Sequence, residues 1–289
     1  METSTTDAGG LLLVDKPAGL TSHDVVAIVR RAVRARRVGH TGTLDPFATG
    51  LLVVLIGRAT RLIPYVDGEP KVYDAAVRFG KETDTDDATG EVTREAPLPD
   101  RACVADAIAC LTGTIEQMPP AYSAKKVAGV RAYAAARRGD AVELAPATIT
   151  VHGWDDVRWD ADSLHARITC SGGTYIRALA RDLGRLAASA AHLSALRRIR
   201  AGAFSVDEAA TVDRLKSGDF AVRPPRCAIP SMPARTLSGV ELGRVVHGNP
   251  IAADGDEARV ALVDSDGTLV AIAEREEGEL RPRLVLRDV

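Results

Sequence analysis

Residues 39–57 of the chain are GHTGTLDPFATGLLVVLIG. This stretch begins with small, turn-forming residues, continues with one carboxylate, Asp45, directly before a proline, and ends in the apolar run Leu51–Ile56. The run is short, rich in β-branched residues and bounded by glycines, so it predicts a buried strand. Proline fixes its own φ and disfavours a helical conformation for Asp45. The stretch therefore predicts an acid on a rigid, extended loop beside a core strand.

Two explanations of Asp45 remain open from these residues alone. In the first, the carboxylate only caps the loop backbone in an Asx-type turn, which is the more common role of an Asp-Pro pair. In the second, the loop presents one reactive acid at the end of a core strand, as many scaffolds do.

The composition indicates a globular chain with one large domain, or one large and one small domain. Of the 289 residues, 46% are hydrophobic and 4% are aromatic, so we expect an aliphatic core. Thirty-seven basic and thirty-nine acidic residues give a formal charge of −2, so a polyanion site must be a local patch. The four cysteines lack metal spacing, and the sequence has no signal peptide and no membrane-spanning run. We therefore expect a cytoplasmic protein without a metal.

Three dense blocks of sequence resemble the TruB family of bacterial tRNA pseudouridine synthases. The first is GHTGTLDPFATGLL, in which the Asp of the family's G-x-LDP-x-A-T-G-x-L pattern is catalytic. The others are CSGGTYIRALARDLG, residues 170–184, and AHLSALRRIR, residues 191–200. LLLVDKPAGLTSHDVV, residues 11–26, resembles the family's N-terminal pattern, and the arginine-rich composition is similar to that of actinobacterial members. The resemblance spans about residues 11–200 and implies that Asp45 is the catalytic residue.

The resemblance also assigns five residues to the substrate base. It implies that Tyr73 stacks on the base and that Tyr175 lies against it. Arg177 is implied to pair with Asp45, Leu196 to form an apolar wall, and His40 to fill the place that the flipped base leaves. Without the resemblance, the pattern favours core packing for Tyr73, because it falls on the more apolar face of its predicted strand. A structural role is then the usual one for His40, and a core tyrosine and a surface arginine are the alternatives for Tyr175 and Arg177.

Arginines without neighbouring acids predict a surface for RNA phosphates. A helix predicted from Ser22 to about Arg37 carries five arginines and no acid on the face opposite its valines. The candidate contacts to the RNA backbone are Lys16, Arg30, Arg34, Arg37, Arg61 and Lys125. Lysines that are simply solvated are the alternative for Lys16 and Lys125.

The predicted fold class is α+β. We expect a central mixed, largely antiparallel sheet flanked by helices, which is the pseudouridine synthase fold, and a small C-terminal PUA-like β-rich domain. The catalytic domain is predicted over residues 11–222 and a PUA-like RNA-binding domain over residues 234–289, with a proline-rich linker between them. A generic β appendage is the alternative for the C-terminal domain. GKETDTDDATGE, residues 80–91, lacks EF-hand spacing and predicts a structural turn.

The resemblance implies an enzyme that isomerises uridine to pseudouridine at position 55 in the T-loop of tRNA. It implies base flipping, aspartate-dependent cleavage of the glycosidic bond and reattachment through C5, with no cofactor. We expect a monomer whose partner is the tRNA T-arm. Asp45 either attacks C1′ or removes a ribose proton to form a glycal, and the sequence leaves both open. A non-catalytic tRNA-binding protein and an aspartate-nucleophile hydrolase are the alternative functions, whereas the missing GK[ST] motif excludes a P-loop NTPase.

Overall fold

The computed structural model describes residues 9–120, 126–127, 130–131 and 145–286. The chain divides into two compact units. The first comprises the described residues of 1–45, 51–68 and 203–289, and the second those of 46–50 and 69–202. The functional division into a catalytic domain over residues 11–222 and an RNA-binding domain over residues 234–289 stays a prediction.

Strands supply most of the regular structure among the described residues. They are β1 Gly10–Lys16, β2 Val38–Thr41, β3 Thr49–Ile56, β4 Lys71–Phe79, β5 Lys81–Thr83, β6 Val92–Glu95, β7 Gly113–Gln117, β8 Lys126–Val127, β9 Val130–Arg131, β10 Ala147–Asp160, β11 Ser163–Cys170, β12 Ala191–Ala201, β13 Phe204–Ser205, β14 Ala210–Thr211, β15 Ala234–Thr236, β16 Ile251–Ala252, β17 Arg259–Val263, β18 Leu269–Glu276 and β19 Glu279–Val285. The α-helices are α1 Ser22–Ala32, α2 Arg101–Cys110, α3 Ile176–Leu186, α4 Val212–Ser217 and α5 Gly239–Val246, and 3-10 helices cover Gly57–Tyr65, Val206–Glu208 and Pro225–Ala228.

The second unit is built on a mixed sheet. Its strand order is β3, β12, β4, β11, β10, β7, where β3 contributes its first residues, Thr49 and Gly50. The pairing of β12 with β3 is parallel, and the other neighbours are antiparallel. Helix α3 packs against β12 and β4. The predicted α+β class with a mixed, largely antiparallel sheet and flanking helices is therefore confirmed.

Strand β4 has one buried and one open face, as the alternation of its residues predicts. Tyr73, Ala75, Val77 and Phe79 are all buried, whereas Arg78 is exposed and Asp74 is half-buried. The ring of Phe79 stacks on Trp159 of β10 with 5.4 Å between the ring centroids. The buried face therefore carries the apolar core of this unit.

The first unit contains two further groups of paired strands. Strands β14, β1 and β3 lie side by side, and β2 pairs with β3 in an antiparallel hairpin. Helix α1 contributes Val25 and Val29 to the core beneath β1 and β3. The C-terminal strands form a five-stranded sheet in the order β15, β17, β18, β19, β16, which α5 covers. This sheet is compatible with the predicted PUA-like fold.

Several predicted boundaries differ from those observed, for local reasons. Thr21 rather than Ser22 caps α1, because Thr21 and Asp24 form a reciprocal capping box. The helix ends at Ala32, well before Arg37. Val130 and Arg131 pair with β8 as strand β9.

Candidate active site

The loop that carries Asp45 is tethered on its N-terminal side to helix α1. The Ser22 hydroxyl accepts a hydrogen bond from the Leu44 backbone N–H at 2.9 Å and donates one to the Leu44 carbonyl at 3.1 Å. Both residues are buried. Because one hydroxyl binds both backbone groups of Leu44, the backbone directly before Asp45 is held in place. Ser22, the first residue of α1, therefore supports this loop.

The residues before Asp45 form a strand rather than a turn. Gly39, His40 and Thr41 belong to β2 and pair with β3, and only Gly42 of this segment takes a positive φ, of 71°. The His40 ring meets that of His23 edge-to-face, with 5.8 Å between the ring centroids. A strand pairing thus replaces the glycine-rich turn that the small residues predict.

Lys16, a candidate RNA contact, is fully buried at the end of β1. Its amino group donates to the carbonyls of Pro17 and Leu20 at 2.9 and 2.7 Å. The alternative of a solvated Lys16 is therefore wrong, and its amino group holds the turn after β1.

Tyr73 and Leu196 lie on the same face of two neighbouring strands in the second unit. In the β4–β12 register Tyr73 faces Arg198, and Leu196 faces Ala75, which lies two residues after Tyr73. Tyr73 is 7% and Leu196 is 8% exposed. The sequence therefore predicted correctly that Tyr73 belongs to the apolar face, and β12 adds Leu196 to it.

Tyr175 immediately precedes α3 and is positioned through its backbone. The Gln117 side-chain amide donates to the Tyr175 carbonyl at 3.0 Å and accepts from the Tyr175 N–H at 2.9 Å. Gln117 is 2% exposed, so these two bonds satisfy an amide that would otherwise be costly to bury. Tyr175 itself is the N-terminal capping position, and its side chain makes no capping hydrogen bond.

Arg177, in the first turn of α3, is buried against the loop that follows β5. Its guanidinium donates to the Thr85 carbonyl at 2.7 Å and lies 3.4 Å from the Asp87 carboxylate. The other Asp87 oxygen accepts from the hydroxyl groups of Thr85 and Thr89, at 2.9 and 2.5 Å. The acidic segment is thus an internally bonded turn, as predicted, that holds Arg177. The pairing of Arg177 with Asp45 stays a prediction.

A second buried ion pair links the same loop to the next turn of α3. The Asp86 carboxylate accepts from Arg181 at 2.9 Å. Burial raises the pKa of Asp86 to about 6, because the loss of hydration outweighs the attraction of Arg181 and Arg177. The protonation of this carboxyl therefore changes just below neutral pH.

Among the candidate RNA contacts, the arginines of α1 and of the segment after it differ from the others in exposure and in bonding. Arg30, Arg34 and Arg37 are exposed, and within the described residues none of them forms an ion pair. Arg61 is also exposed, but its guanidinium donates to the Val285 carbonyl at 2.6 Å. Arg61 therefore helps to hold β19 within the first unit. Lys125 lies outside the described residues.

The second unit contains a cavity of about 410 Å³ that includes Leu196 among its lining residues. Its polar lining includes Asp74 and Arg167, whose register places them on the face of the sheet opposite Tyr73. Arg167 makes a bidentate contact with Asp74, at 2.8 and 3.2 Å. Neither Tyr73 nor the start of α3 lines this cavity. Phe47, which does, follows Asp45 by two residues in the sequence.

Comparison with known proteins is decisive for the family. Residues 30–176 match the model of the TruB family pseudouridylate synthase N-terminal domain. The chain belongs to the TruB family. Curated relatives named tRNA pseudouridine synthase B include those of Thermobifida fusca, 48% identical over 96% of this chain and 98% of the relative, and Mycobacteroides abscessus, 43% identical over 96% of each chain. The match thus extends beyond the N-terminal domain to nearly the whole chain.

Solved structures confirm the fold of this TruB family member. A chain of an H/ACA RNP bound to a substrate RNA containing 2′-deoxyuridine is 21% identical, with a TM-score of 0.73 over 99% of this chain and 88% of that chain. A chain of a Cbf5-Nop10-Gar1 complex is 24% identical, with a TM-score of 0.71 over 96% of this chain and 85% of that chain. No helix among the residues described combines the length and apolar character needed to cross a membrane.

Proposed function

We propose that this chain is a tRNA pseudouridine synthase that isomerises the uridine at position 55 of the T-loop. The observation that carries the proposal is the near full-length similarity to curated tRNA pseudouridine synthases B. The similarity includes the segment that presents Asp45. Family membership by itself leaves the nucleotide and the tRNA arm open, so position 55 and the T-arm are part of the proposal.

Asp45 is the proposed catalytic carboxylate. In one route it attacks C1′ of the ribose and the electrons of the C1′–N1 bond leave with the uracil. In the other it removes a proton from C2′, and the same bond breaks to leave a glycal. In the first route C5 of the rotated base then displaces the Asp45 carboxylate from C1′. In the second route C5 bonds to C1′ of the glycal and the proton held by Asp45 returns to C2′. In both routes the C5 proton is then lost and N1 gains a proton. Atoms and electrons balance without an oxidant or a reductant.

The base-binding roles are proposed for side chains of the second unit. Tyr73 stacks on the flipped uracil, Tyr175 lies against it and Leu196 forms an apolar wall, because an extruded base is commonly held between aromatic and apolar groups. The hydrogen bonds that fix the backbone of Tyr175 support this proposal. Arg177 is proposed to orient Asp45, and His40 to occupy the space that the base vacates.

The arginines of the α1 region are the proposed contact surface for the tRNA backbone. Arg30, Arg34 and Arg37 carry positive charge that no described carboxylate neutralises, which favours a polyanion as partner. Arg61 and Lys125 are further candidates for this surface, whereas Lys16 is fully buried and holds the turn after β1. We further propose that residues 234–289 bind RNA as a PUA-like domain, and that the protein acts as a monomer in the cytoplasm.

The experiment is to incubate the purified protein with an unmodified tRNA transcript in the absence of any cofactor and to map pseudouridine. We expect one pseudouridine, at position 55, and none in a transcript whose T-loop uridine is replaced by cytidine. Binding of the transcript without pseudouridine would favour a non-catalytic tRNA-binding protein. Modification at a different position would refute the assignment to the T-loop.

A further inference from the structure

Lys71 opens strand β4 two residues before Tyr73, and the two side chains share the same face of the strand. Its side chain is half-buried. Within the described residues its amino group takes part in no hydrogen bond and no ion pair. The only carboxylate that acts on it is that of Glu69, and within the described residues the two form no ion pair. A lysine that is partly removed from water without a bonded anion is unfavourable, and such groups are over-represented at functional sites.

A second cation on the neighbouring strand acts on Lys71 through its charge. Arg198 of β12 faces Tyr73 in the sheet register and is 1% exposed. Burial, followed by the charge of Arg198, lowers the pKa of Lys71, while the exposed carboxylate of Glu69 acts in the opposite direction. The remaining titratable neighbour is Cys170 of β11, and burial raises the pKa of its thiol to about 11. Two positive charges thus flank Tyr73 on the buried face of the sheet.

Lys71 also lies close to the segment that leads into Tyr175. A Cβ atom placed on Gly172 would lie 1.9 Å from a carboxylate oxygen of Glu69 and 3.6 Å from the Lys71 amino group. The Gly172 backbone therefore packs tightly against this pair, three residues before Tyr175. The amino group lies between the strand of one candidate base-contacting tyrosine and the turn before the other.

The proposed reaction develops negative charge at the base. When the C1′–N1 bond breaks, its electron pair leaves on N1 and is delocalised onto O2 and O4 of uracil, whether Asp45 attacks C1′ or removes the C2′ proton. A fixed cation in a site shielded from water stabilises such developing charge more strongly than it stabilises the neutral ground state.

We propose that Lys71, supported by the charge of Arg198, contacts a carbonyl oxygen of the flipped uracil and stabilises the uracil anion formed when the glycosidic bond breaks. This inference rests on the proposed function and on the stacking of the base on Tyr73. It assigns a catalytic role to a lysine for which the resemblance implied none. The same cation favours the O4 carbonyl of uracil over the N4 amino group of cytosine, because an ammonium group only donates hydrogen bonds.

The test compares neutral and charged replacements of Lys71 under single-turnover conditions with saturating unmodified tRNA transcript. We expect Lys71→Met and Lys71→Gln to lower the rate constant about 100-fold, as for removal of one donor to a developing charge. Lys71→Arg retains most of the rate because the charge remains. Lys81→Met is the matched control, because Lys81 is an exposed lysine in the next strand, β5, paired with Glu95 at 3.1 Å.

Two further readouts separate this role from a structural one. The dissociation constant of the RNA should change little in Lys71→Met. Its thermal unfolding temperature should equal or exceed that of the wild type, because the cost of burying the Lys71 charge outweighs its attraction to Glu69. Weaker RNA binding with an unchanged rate constant would overturn the proposal. Wild-type activity together with normal rates in both neutral variants would overturn this inference alone, whereas an inactive wild type would overturn the proposed function with it.

Discussion

Single side chains from distant parts of the sequence hold the candidate site residues in place. Gln117 binds both backbone groups of Tyr175, and Ser22 binds both backbone groups of Leu44, directly before Asp45. Gln117 and Ser22 are both buried, and each side chain donates one of these hydrogen bonds and accepts the other. The positions of Tyr175 and Asp45 therefore depend on residues that take no part in the proposed chemistry.

Asp86 gives a pH prediction at the same scale. Its pKa is raised to about 6 in the folded protein and is near 3.8 when unfolded, so between these values the folded state binds more protons. The contribution of Asp86 to stability must therefore fall as pH rises from about 4 to 6, by up to about 3 kcal/mol. Urea unfolding at several pH values should show that Asp86→Asn removes this fall.

Asp162→Asn is the control for this measurement, because hydrogen bonds from Arg78 lower the pKa of Asp162. A lowered pKa contributes stability that is present above the unfolded value and disappears as pH falls, which is the opposite sign. If the difference between wild type and Asp86→Asn were independent of pH between 4 and 6, the buried carboxyl would not titrate as described.

The family resemblance identified the residues that are proposed to act on the substrate. It did not identify the contacts of the buried residues that hold them in place. Tyr73 was placed on the correct face by strand alternation alone. The contacts of Gln117, Asp87 and Arg198 were not predicted, because they join residues that lie 58, 90 and 125 positions apart in the sequence. A motif specifies residue types at local spacing, whereas a buried partner from another element is fixed only by the register of the sheet.

At the scale of elements, the start of β3 fixes how closely it approaches β12. Gly50 has a φ of 101°, and a Cβ atom there would lie 2.2 Å from the Arg198 carbonyl oxygen and 2.8 Å from the Arg198 nitrogen. Both are backbone atoms of a paired strand, so they cannot rotate away. The glycine is required both for its φ and for the absence of a side chain.

Gly50→Ala should therefore destabilise the protein and displace Arg198. The unfavourable φ alone costs about 1–3 kcal/mol, and the steric overlap adds to it. Gly113→Ala is the matched control, because Gly113 has a φ of 95° and no atom within 4 Å of its Cβ position. Thermal and urea unfolding should show a larger destabilisation for Gly50→Ala, and equal values would show that close packing at Gly50 is unimportant.

Strands and helices were predicted well where a local pattern determines them. The alternation in β4 and the apolar run of β3 led to the observed strands. The segment Gly39–Thr41 was predicted as a turn from its small residues, but pairing with β3 makes it a strand. Helix α1 begins at Ser22, and Thr21 caps it because Thr21 and Asp24 bond reciprocally. Local composition predicts neither the pairing of two strands nor the hydrogen bonds of a helix cap.

At the scale of the whole molecule, the distribution of arginine partners distinguishes one surface. Arg78, Arg214 and Arg223 each lie within 3.0 Å of a carboxylate. Arg30 and Arg34 are exposed and have no ion pair within the described residues. The net charge of −2 does not show that some arginines lack carboxylate partners. The arginine-rich sequence of α1 and the ion pairs of the folded chain show where these arginines lie.

Replacing Arg30, Arg34 and Arg37 together with glutamine should weaken tRNA binding and reduce its salt dependence. The slope of log affinity against log salt should fall by about 0.7–0.9 for each phosphate that the variant no longer neutralises. The measurement is the dissociation constant of an unmodified tRNA transcript at several salt concentrations.

The control for this triple variant replaces Arg78, Arg214 and Arg223 with glutamine, which removes the same charge from arginines that already have carboxylate partners. We expect this control to bind tRNA with nearly the affinity and salt dependence of the wild type. Equal effects of the two triple variants would indicate that only total charge matters and would contradict a defined RNA surface.

The central claim is that the Asp45 carboxylate breaks the glycosidic bond of a tRNA uridine. The measurement is pseudouridine formation at position 55 of an unmodified transcript in a single turnover, with wild type, Asp45→Asn and the exposed-surface control Asp213→Asn. We predict complete conversion by wild type and Asp213→Asn and no detectable pseudouridine with Asp45→Asn, although that variant still binds the transcript. Conversion by Asp45→Asn at a rate near that of the wild type would contradict the account.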